Sequence, residues 1–483
     1  MKLKTLFKDF QNIEIKGSKD IEISSISNDS RYVFVNSLFI AKKGCSDDGS
    51  KYINDAVNAG SIAILTDLYD PFLTNITQII HKNPIELEAE LAAKFYNYPS
   101  KKLFSVAVTG TCGKTTITYL IQHIFENLNI KSGLIGTIEY IFGKFKKESN
   151  LTTPSAIDLQ KYLNEMVNSD FKAFCLEASS HGIEQGRVKH IDFDVAIFTN
   201  ITIDHLDYHK TFEEYKIAKK KLFDNLSEKS TAIINLDDDN SLFMVKDTKA
   251  KIFTYSISKK ADLEAKNIKT SFDGTTFTIK YLDTEYDVKT SLIGKFNVLN
   301  ILASIAAGIF KNLDVNDILK AVSSFVTVKG RLEKVNIKKS FSVYVDYSHK
   351  PDALKNVLKT LCEIKKNRII CVFGAGGNRD RSKRSLLAMA SAEFADISIV
   401  TSDNPRDEDP NFIIDEIIKG FSENYEYFIE ADREKAIYKA ISLAKENDII
   451  LIAGKGHETY QIIKNQKIHF DDVKISEKIC SIL

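Results

Sequence analysis

A chain of 483 residues exceeds what one hydrophobic core sustains, so two to four domains of ordinary size are expected. Apolar residues make up 43% and charged residues 27%, and Lys+Arg 66 nearly cancels Asp+Glu 65. That balance gives globular cores and excludes partners chosen by bulk charge, such as nucleic acid or a polybasic membrane anchor.

Gly 21 and Pro 7 are too few for long disordered linkers. The six cysteines (Cys45, Cys112, Cys175, Cys362, Cys371, Cys480) are scattered without a CxxC pair. They read as reduced thiols of a cytoplasmic protein, not as a disulfide framework or a zinc site. The N-terminal MKLKTLFKDFQNIEIKG is interrupted by charge throughout, and no apolar run approaches the ~18 residues of a membrane span. A soluble chain without membrane insertion is expected.

In the first hundred residues, SLFIA (37–41) and IAILT (62–66) predict two strands, with a short helix around Asp55–Gly60 between them. NYPSKK near Pro99 reads as a linker, and the apolar run Phe104–Val108 follows it. Lys114–Asn127 predicts a helix, because Ile117, Leu120, Ile121, Ile124 and Phe125 recur at helical spacing. Phe174–Leu176, Val195–Phe198 and Ala232–Asn235 predict buried strands. Alternation of this kind favours a mostly parallel sheet with helices on its faces.

A second reset falls at Val328–Arg331. Beyond it, Phe341–Val345 reads as a strand ending at Asp346. The strands Ile369–Phe373, Ile397–Val400 and Ile449–Ile452 then run directly into GAGGNRDRSKR, TSDNPRDED and AGKGHE. Ends of neighbouring parallel strands share one crevice, where ligands bind. Three charged strand ends predict a binding face. The fold class is therefore α/β in three domains, at 1–99, 100–330 and 331–483.

The strongest motif is VAVTGTCGKTT, from Val106 to Thr116, a strand feeding a Gly-rich loop and then a helix. Gly110 and Gly113 allow close backbone approach, so the N–H groups of Gly110, Thr111, Cys112, Gly113 and Thr116 can wrap ATP phosphates. Lys114 supplies a point charge and Thr115 a hydroxyl for Mg²⁺, at a helix N-terminus. Two residues separate the glycines where the usual P-loop has four, which counts against an ordinary GTPase or motor.

TGTxGKTT of this shorter form resembles the Mur ligase family of ATP-dependent amide-forming enzymes. LEASSHG, TNITIDHLD, GKFNVLN, GRLE and DYSHKPD follow in that family's order, and the resemblance spans essentially the whole chain. Within the family it is nearest the UDP-N-acetylmuramoyl-tripeptide synthetases. Three departures stand out: Cys112 where Asn is usual, DYSHKPD where DYAHTPD is usual, and Cys45-Ser46 before Asp48-Gly49.

The resemblance implies a small UDP-binding domain, a central P-loop ATPase-type sheet and a Rossmann-like C-terminal domain. Catalytic roles fall on Lys114, Glu177, His205 and Lys219. Two Mg²⁺ sites are implied, the first at Thr115 and the second at Glu177, His205 and Lys219, the last as a carbamate. Lys220 and Lys221 adjoin Lys219, and only spacing from His205 separates them. Without the family, Glu177 is a strand-end acid and the lysines a solvated helix face.

Asn297 and Asn300 are three apart on one helix face and suit an adenine edge, while Arg331 and Asp346 would approach phosphate and ribose. Ser30 and the loop Gly44–Asp48 match the uridine end, which physics alone would leave as turns. Thr152, Thr153, Ser179, Gln185 and Arg187 match contacts to the muramoyl-dipeptide, Arg187 pairing with a carboxylate.

The incoming amino acid is expected at Asp403-Asn404-Pro405-Arg406, with Arg379, Gly454 and Glu458. Arg406 can fork onto a carboxylate and Asp403 and Asn404 can accept from an ammonium. The DNPR form is implied to select meso-diaminopimelate; L-lysine is the alternative. An ion pair of Arg406 with Asp407 or Glu408 is the ordinary reading of the same residues.

The expected reaction joins meso-diaminopimelate to UDP-MurNAc-L-Ala-D-Glu with ATP, in a cytoplasmic monomer. Competing readings are a folylpolyglutamate synthase and a P-loop protein that couples ATP turnover to partner binding. The first starts close to its P-loop, whereas about a hundred residues precede Gly110 here. The second has no need of three charged strand ends.

Overall fold

A computed structural model describes residues 1–43 and 48–483, and their strands form three main sheets, each flanked by helices. The Cys45-Ser46 departure lies outside the described residues. The first sheet runs in the order Glu14–Lys16, Thr77–Ile80, Ser61–Thr66, Ser37–Ile40, Ser25–Ser27, parallel except at Glu14–Lys16. Sequence patterning predicts only the two central strands. The other three have three or four residues, too few to show an alternation. Helix Pro84–Phe95 covers this sheet and packs on Ala156–Asn168 of the next unit, whose Ile157 joins the first unit's apolar core.

Phe104–Thr109 lies inside an eleven-stranded sheet, between Ala173–Glu177 and Val195–Phe198, parallel to both. Alternate residues of these strands divide between two cores. Val106, Val108, Cys175 and Ile197 face helices Lys114–Asn127 and Lys295–Phe310. Ala107, Leu176, Ala196 and Phe198 face Ala156–Asn168 and Phe212–Asp224. The period of two places each strand tip, and whatever follows it, at one edge of the sheet. The five periodic residues of Lys114–Asn127 are all buried in the first core.

This sheet is not parallel throughout. Antiparallel strands Leu263–Ser271, Gly274–Tyr281 and Thr284–Thr290 extend one side, and Glu139–Phe142 and Phe145–Glu148 the other. Their half-exposed patterns hide them from a search for apolar runs.

In the third sheet Ser342–Asp346, Ile449–Ala453, Ile369–Phe373, Ile397–Val400 and Tyr427–Ile429 lie side by side and parallel, with Glu333–Lys334 antiparallel at the edge. The three charged strand ends are therefore direct neighbours. Beneath them Arg433 is fully buried and forks onto Asp472 (Nε–Oδ1 2.9 Å, Nη2–Oδ2 2.8 Å), while Nη2 also donates to the Ala453 carbonyl at 3.0 Å. Arg433→Leu leaves the Asp472 carboxylate buried without its partner, and should destabilise the protein by about 3–5 kcal/mol. Urea unfolding of both forms measures it. A change under about 1 kcal/mol would show that the pair contributes little to stability.

Candidate active site

The glycine loop leaves strand Phe104–Thr109 at Gly110 (φ +148°) and enters its helix at Gly113 (φ +90°). A Cβ at Gly110 would meet Thr199 Oγ1 at 1.8 Å, and one at Gly113 would meet Asn300 Oδ1 at 2.6 Å. Neither position admits a side chain. Thr199 and Asn200 pin the loop: Thr199 Oγ1 donates to the Cys112 carbonyl at 2.6 Å, and the Cys112 N–H donates to Asn200 Oδ1 at 3.0 Å. The Thr111 hydroxyl meets Tyr215 Oη at 3.0 Å. Thr115 and Thr116 are buried in the first helical turn.

Lys114 folds back over its own loop, donating to the carbonyls of Gly110 (2.8 Å) and Thr111 (3.0 Å). Burial holds its ammonium below the usual lysine range, against the pull of Glu177. Glu177 closes strand Ala173–Glu177, fully buried, and accepts from Thr115 Oγ1 (3.1 Å) and from Thr137 N and Oγ1 (2.8 Å each). One carboxylate thus sits at the Thr115 hydroxyl, where a cation bound to phosphate would lie.

Lys219 is buried against the other side of the loop. Its ammonium donates to the Gly110 carbonyl at 3.0 Å and lies 4.6 Å from the centre of the Tyr215 ring. It has no carboxylate partner among the described residues. Lys220 by contrast pairs with Asp224 and Asp247 at 2.6 Å each, and Lys221 with Glu184 at 2.7 Å. Burial, with Lys114 and Lys350 adding like charge, drives Lys219 well below the lysine range. A buried lysine held neutral is nucleophilic toward CO₂.

His205 follows strand Val195–Phe198 in a left-handed conformation (φ +54°), with Nε2 3.0 Å from Asp204. Burial pushes its imidazole down to about 3, so it is neutral and able to ligate. Glu177 and Thr115 are in contact, whereas His205 faces Asp204 and Lys219 faces Gly110. Among the described residues no three or more His, Cys, Asp or Glu form a cation cage. The donors that are present suit Mg²⁺, which takes most of its ligands from phosphate and water oxygens.

Beside Glu177 the expected dipeptide residues converge. Thr153 Oγ1 donates to the Glu177 carbonyl (2.7 Å) and meets Ser179 Oγ (3.0 Å), and Thr152 meets Thr137 (3.2 Å). Arg187 Nη1 donates to the Thr153 carbonyl (2.7 Å) and Nε to Gln185 Oε1 (3.0 Å). Ser30 stands apart from them, in the short helix Ser30–Tyr32 of the first unit.

The residues expected at the adenine and the ribose are hydrogen-bonded within the protein. Asn300 donates to Asn297 Oδ1 (3.0 Å), and Asn297 to the Ile293 carbonyl (2.9 Å), so the two amides are engaged with each other while Asn300 abuts Gly113. Asp346 is buried, and its oxygens accept from the Leu332 and Ser348 N–H groups (2.7 and 2.8 Å). Arg331 does cross to the loop. Its Nη2 donates to Thr115 Oγ1 at 3.1 Å, and its guanidinium lies 4.7 Å from the Tyr347 ring centre.

At the strand ends, Arg406 (φ +53°) donates from Nη1 to the Gly377 carbonyl at 2.8 Å and makes no ion pair among the described residues. Glu408 is taken by Arg384 (2.9 Å), and Asp407 accepts from Asn378 (2.6 Å), so the ordinary ion pair does not form. Burial, then the nearby Arg379, lowers the Arg406 pKa. Asp403 Oδ1 is buried without a hydrogen bond, and its Oδ2 stands 3.0 Å from where a Cβ of Gly454 would be. Pro405 is buried in the same turn, its carbonyl beside Gly377.

Sequence reasoning missed Lys455. Fully buried, it donates to Asn404 Oδ1 and Glu458 Oε2 at 3.0 Å each and fixes both acceptors. A lysine between two glycines and a histidine gave no apolar pattern to mark it as interior.

Residues 108–308 match the Mur ligase middle domain and 330–456 the Mur ligase glutamate ligase domain. A Chlamydia trachomatis UDP-N-acetylmuramoyl-L-alanyl-D-glutamate--2,6-diaminopimelate ligase is 45% identical over 468 residues, covering 96% of this chain and 95% of its own. A ligase of the same name from Caldanaerobacter subterraneus is 40% identical over 480 residues, covering 99% of each. A solved structure of a ligase of that name superposes with TM-score 0.71 at 32% identity, over 100% of this chain and 99% of that one. A Mycobacterium tuberculosis folylpolyglutamate synthase shares the fold (TM-score 0.64, 17% identity), over 76% of this chain and 92% of its own. Identity of this size along the whole length, with both domains in order, is not the chance recurrence of a glycine loop: the chain belongs to the Mur ligase family.

Proposed function

We propose that the protein joins meso-2,6-diaminopimelate to the γ-carboxylate of D-Glu in UDP-MurNAc-L-Ala-D-Glu, converting ATP to ADP and phosphate. This is a step of peptidoglycan precursor synthesis. The observation that carries the reading is the pair of cations Arg379 and Arg406, without carboxylate partners among the described residues, beside Asp403, whose Oδ1 makes no hydrogen bond and has the Lys455 ammonium 3.7 Å away. A distal carboxylate and a distal ammonium, borne together by diaminopimelate, match that pair; lysine offers only the ammonium. The same reading assigns the UDP-sugar to residues 1–99, ATP to 100–330 and the amino acid to 331–483, in a cytoplasmic monomer. No helix of the described residues is long and apolar enough to cross a membrane.

ATP binds over the glycine loop, with Lys114 leaving its own carbonyls to meet the β/γ-phosphates. The D-Glu γ-carboxylate, held near Arg187, attacks the γ-phosphorus, and ADP departs. Phosphorylation turns a poor leaving oxygen into a good one. The amine of diaminopimelate then attacks the acyl phosphate, loses a proton and expels phosphate. Mg²⁺, when bound, neutralises charge on the phosphoryl oxygens; Thr115 would hold one ion, and Glu177, His205 and carbamylated Lys219 the other. Arg331, which reaches Thr115 from the third unit, would add a cation beside the phosphates.

ATP turnover that requires both UDP-MurNAc-L-Ala-D-Glu and diaminopimelate tests the reaction. Turnover without the muramoyl-dipeptide would remove it. The carbamate has its own test. Lys219→Ala should lose activity that short-chain carboxylates partly restore, because a small anion can enter the space. A high-resolution map with a bare amine at full activity would refute it.

A further inference from the structure

Asp204 is 3% exposed, in the central unit, with His205 Nε2 3.0 Å from its Oδ2. Two lysines of the third unit converge on it. Lys350, the residue before helix Pro351–Ile364, is ion-paired and hydrogen-bonded to Oδ2. Lys383, the first residue of helix Lys383–Ala392, stands 3.5 Å from Oδ1. Their side chains are 18% and 31% exposed, so neither is a solvated surface charge. Of the other ion pairs between these units among the described residues, Lys295–Glu363 and Lys467–Glu148 are exposed and weak by comparison, and Lys329–Asp471 (3.5 Å) joins a half-exposed lysine at the very end of the central unit to a buried acid.

A carboxylate this deeply desolvated must keep a cation beside it. Both ammonium groups are carried by the third unit, so moving that unit away would strip Asp204 of them. We propose that Lys350, supported by Lys383, is a positioning residue: it latches the third unit onto Asp204 and sets the amino-acid crevice against the phosphate loop. The kinetic consequence of the latch rests on the reaction proposed above; the latch itself does not.

If the docked arrangement is the one that binds amino acid, apparent affinity falls in proportion to the docked fraction. Lys350→Met keeps the length of the side chain and removes its charge. In ligand-free protein it should raise the radius of gyration measured by X-ray scattering. It should also raise the KM for diaminopimelate about tenfold, while ADP binding changes less than about twofold. Lys350→Arg should restore both. Asp204→Asn alone should give the same scattering change, with no further change on adding Lys350→Met.

Wild-type scattering and KM in Lys350→Met overturn the latch. So does a scattering change in Lys350→Met that Asp204→Asn fails to reproduce. If Lys350→Met melts early, Lys350→Gln carries the same comparison. Scattering that changes as expected in a protein that never turns over diaminopimelate overturns the reaction and leaves the latch standing.

Discussion

Lys114→Ala should reduce ATP turnover by about a thousandfold, the scale of removing an electrostatic donor aimed at a transferring group. The fold should be little affected. In the ligand-free protein the Lys114 ammonium satisfies only two carbonyls of its own loop, and alanine is the best helix former for the position it leaves. Turnover and thermal unfolding measured together separate the two effects. Near-normal turnover would mean that ATP does not bind at this loop. Positional isotope exchange from labelled carboxylate into phosphate then tests the acyl phosphate in the unaltered protein.

Arg406→Ala should cost about 2–5 kcal/mol in the transition state for diaminopimelate, or about thirtyfold to several thousandfold in kcat/KM. Its guanidinium is half-buried, spends Nη1 on the Gly377 and Asn404 carbonyls (2.8 and 3.5 Å) and meets no carboxylate among the described residues. ATP affinity should hardly change, because the glycine loop lies in another unit. Arg406→Lys should fall between, since it keeps a charge but loses the fork. If the unmodified protein adds lysine with equal or better kcat/KM, the DNPR turn does not read the distal carboxylate.

How much of this was legible depended on length and solvent. Lys114–Asn127 could be read to the residue, because fourteen residues with one apolar face are unambiguous. The strands Val195–Phe198 and Ile369–Phe373 were equally plain, being apolar on both faces. The hairpins from Leu263 to Thr290 were not, since their outer faces are polar and their strands half-exposed. In the site, the glycine loop and the three strand ends were local in sequence and therefore visible.

What stayed hidden were contacts made across the chain. Lys455 sits 51 residues from the Asn404 it holds, and Lys350 146 residues from Asp204. Of the adjacent lysines 219 to 221, spacing alone favoured the first. Packing separates them, because only Lys219 is turned inward without an acid.

Ile157 has a consequence in time. It belongs to the apolar core around Leu3, Leu38, Leu65 and Leu91, yet it lies on a helix of the central unit. When residue 99 leaves the ribosome, 58 more must follow before Ile157 does (157 minus 99). At roughly 5–20 residues per second that is about 3–12 s during which the nascent first unit keeps an open apolar face. An expressed fragment ending at 99 would keep it open indefinitely, and should self-associate where the whole chain does not.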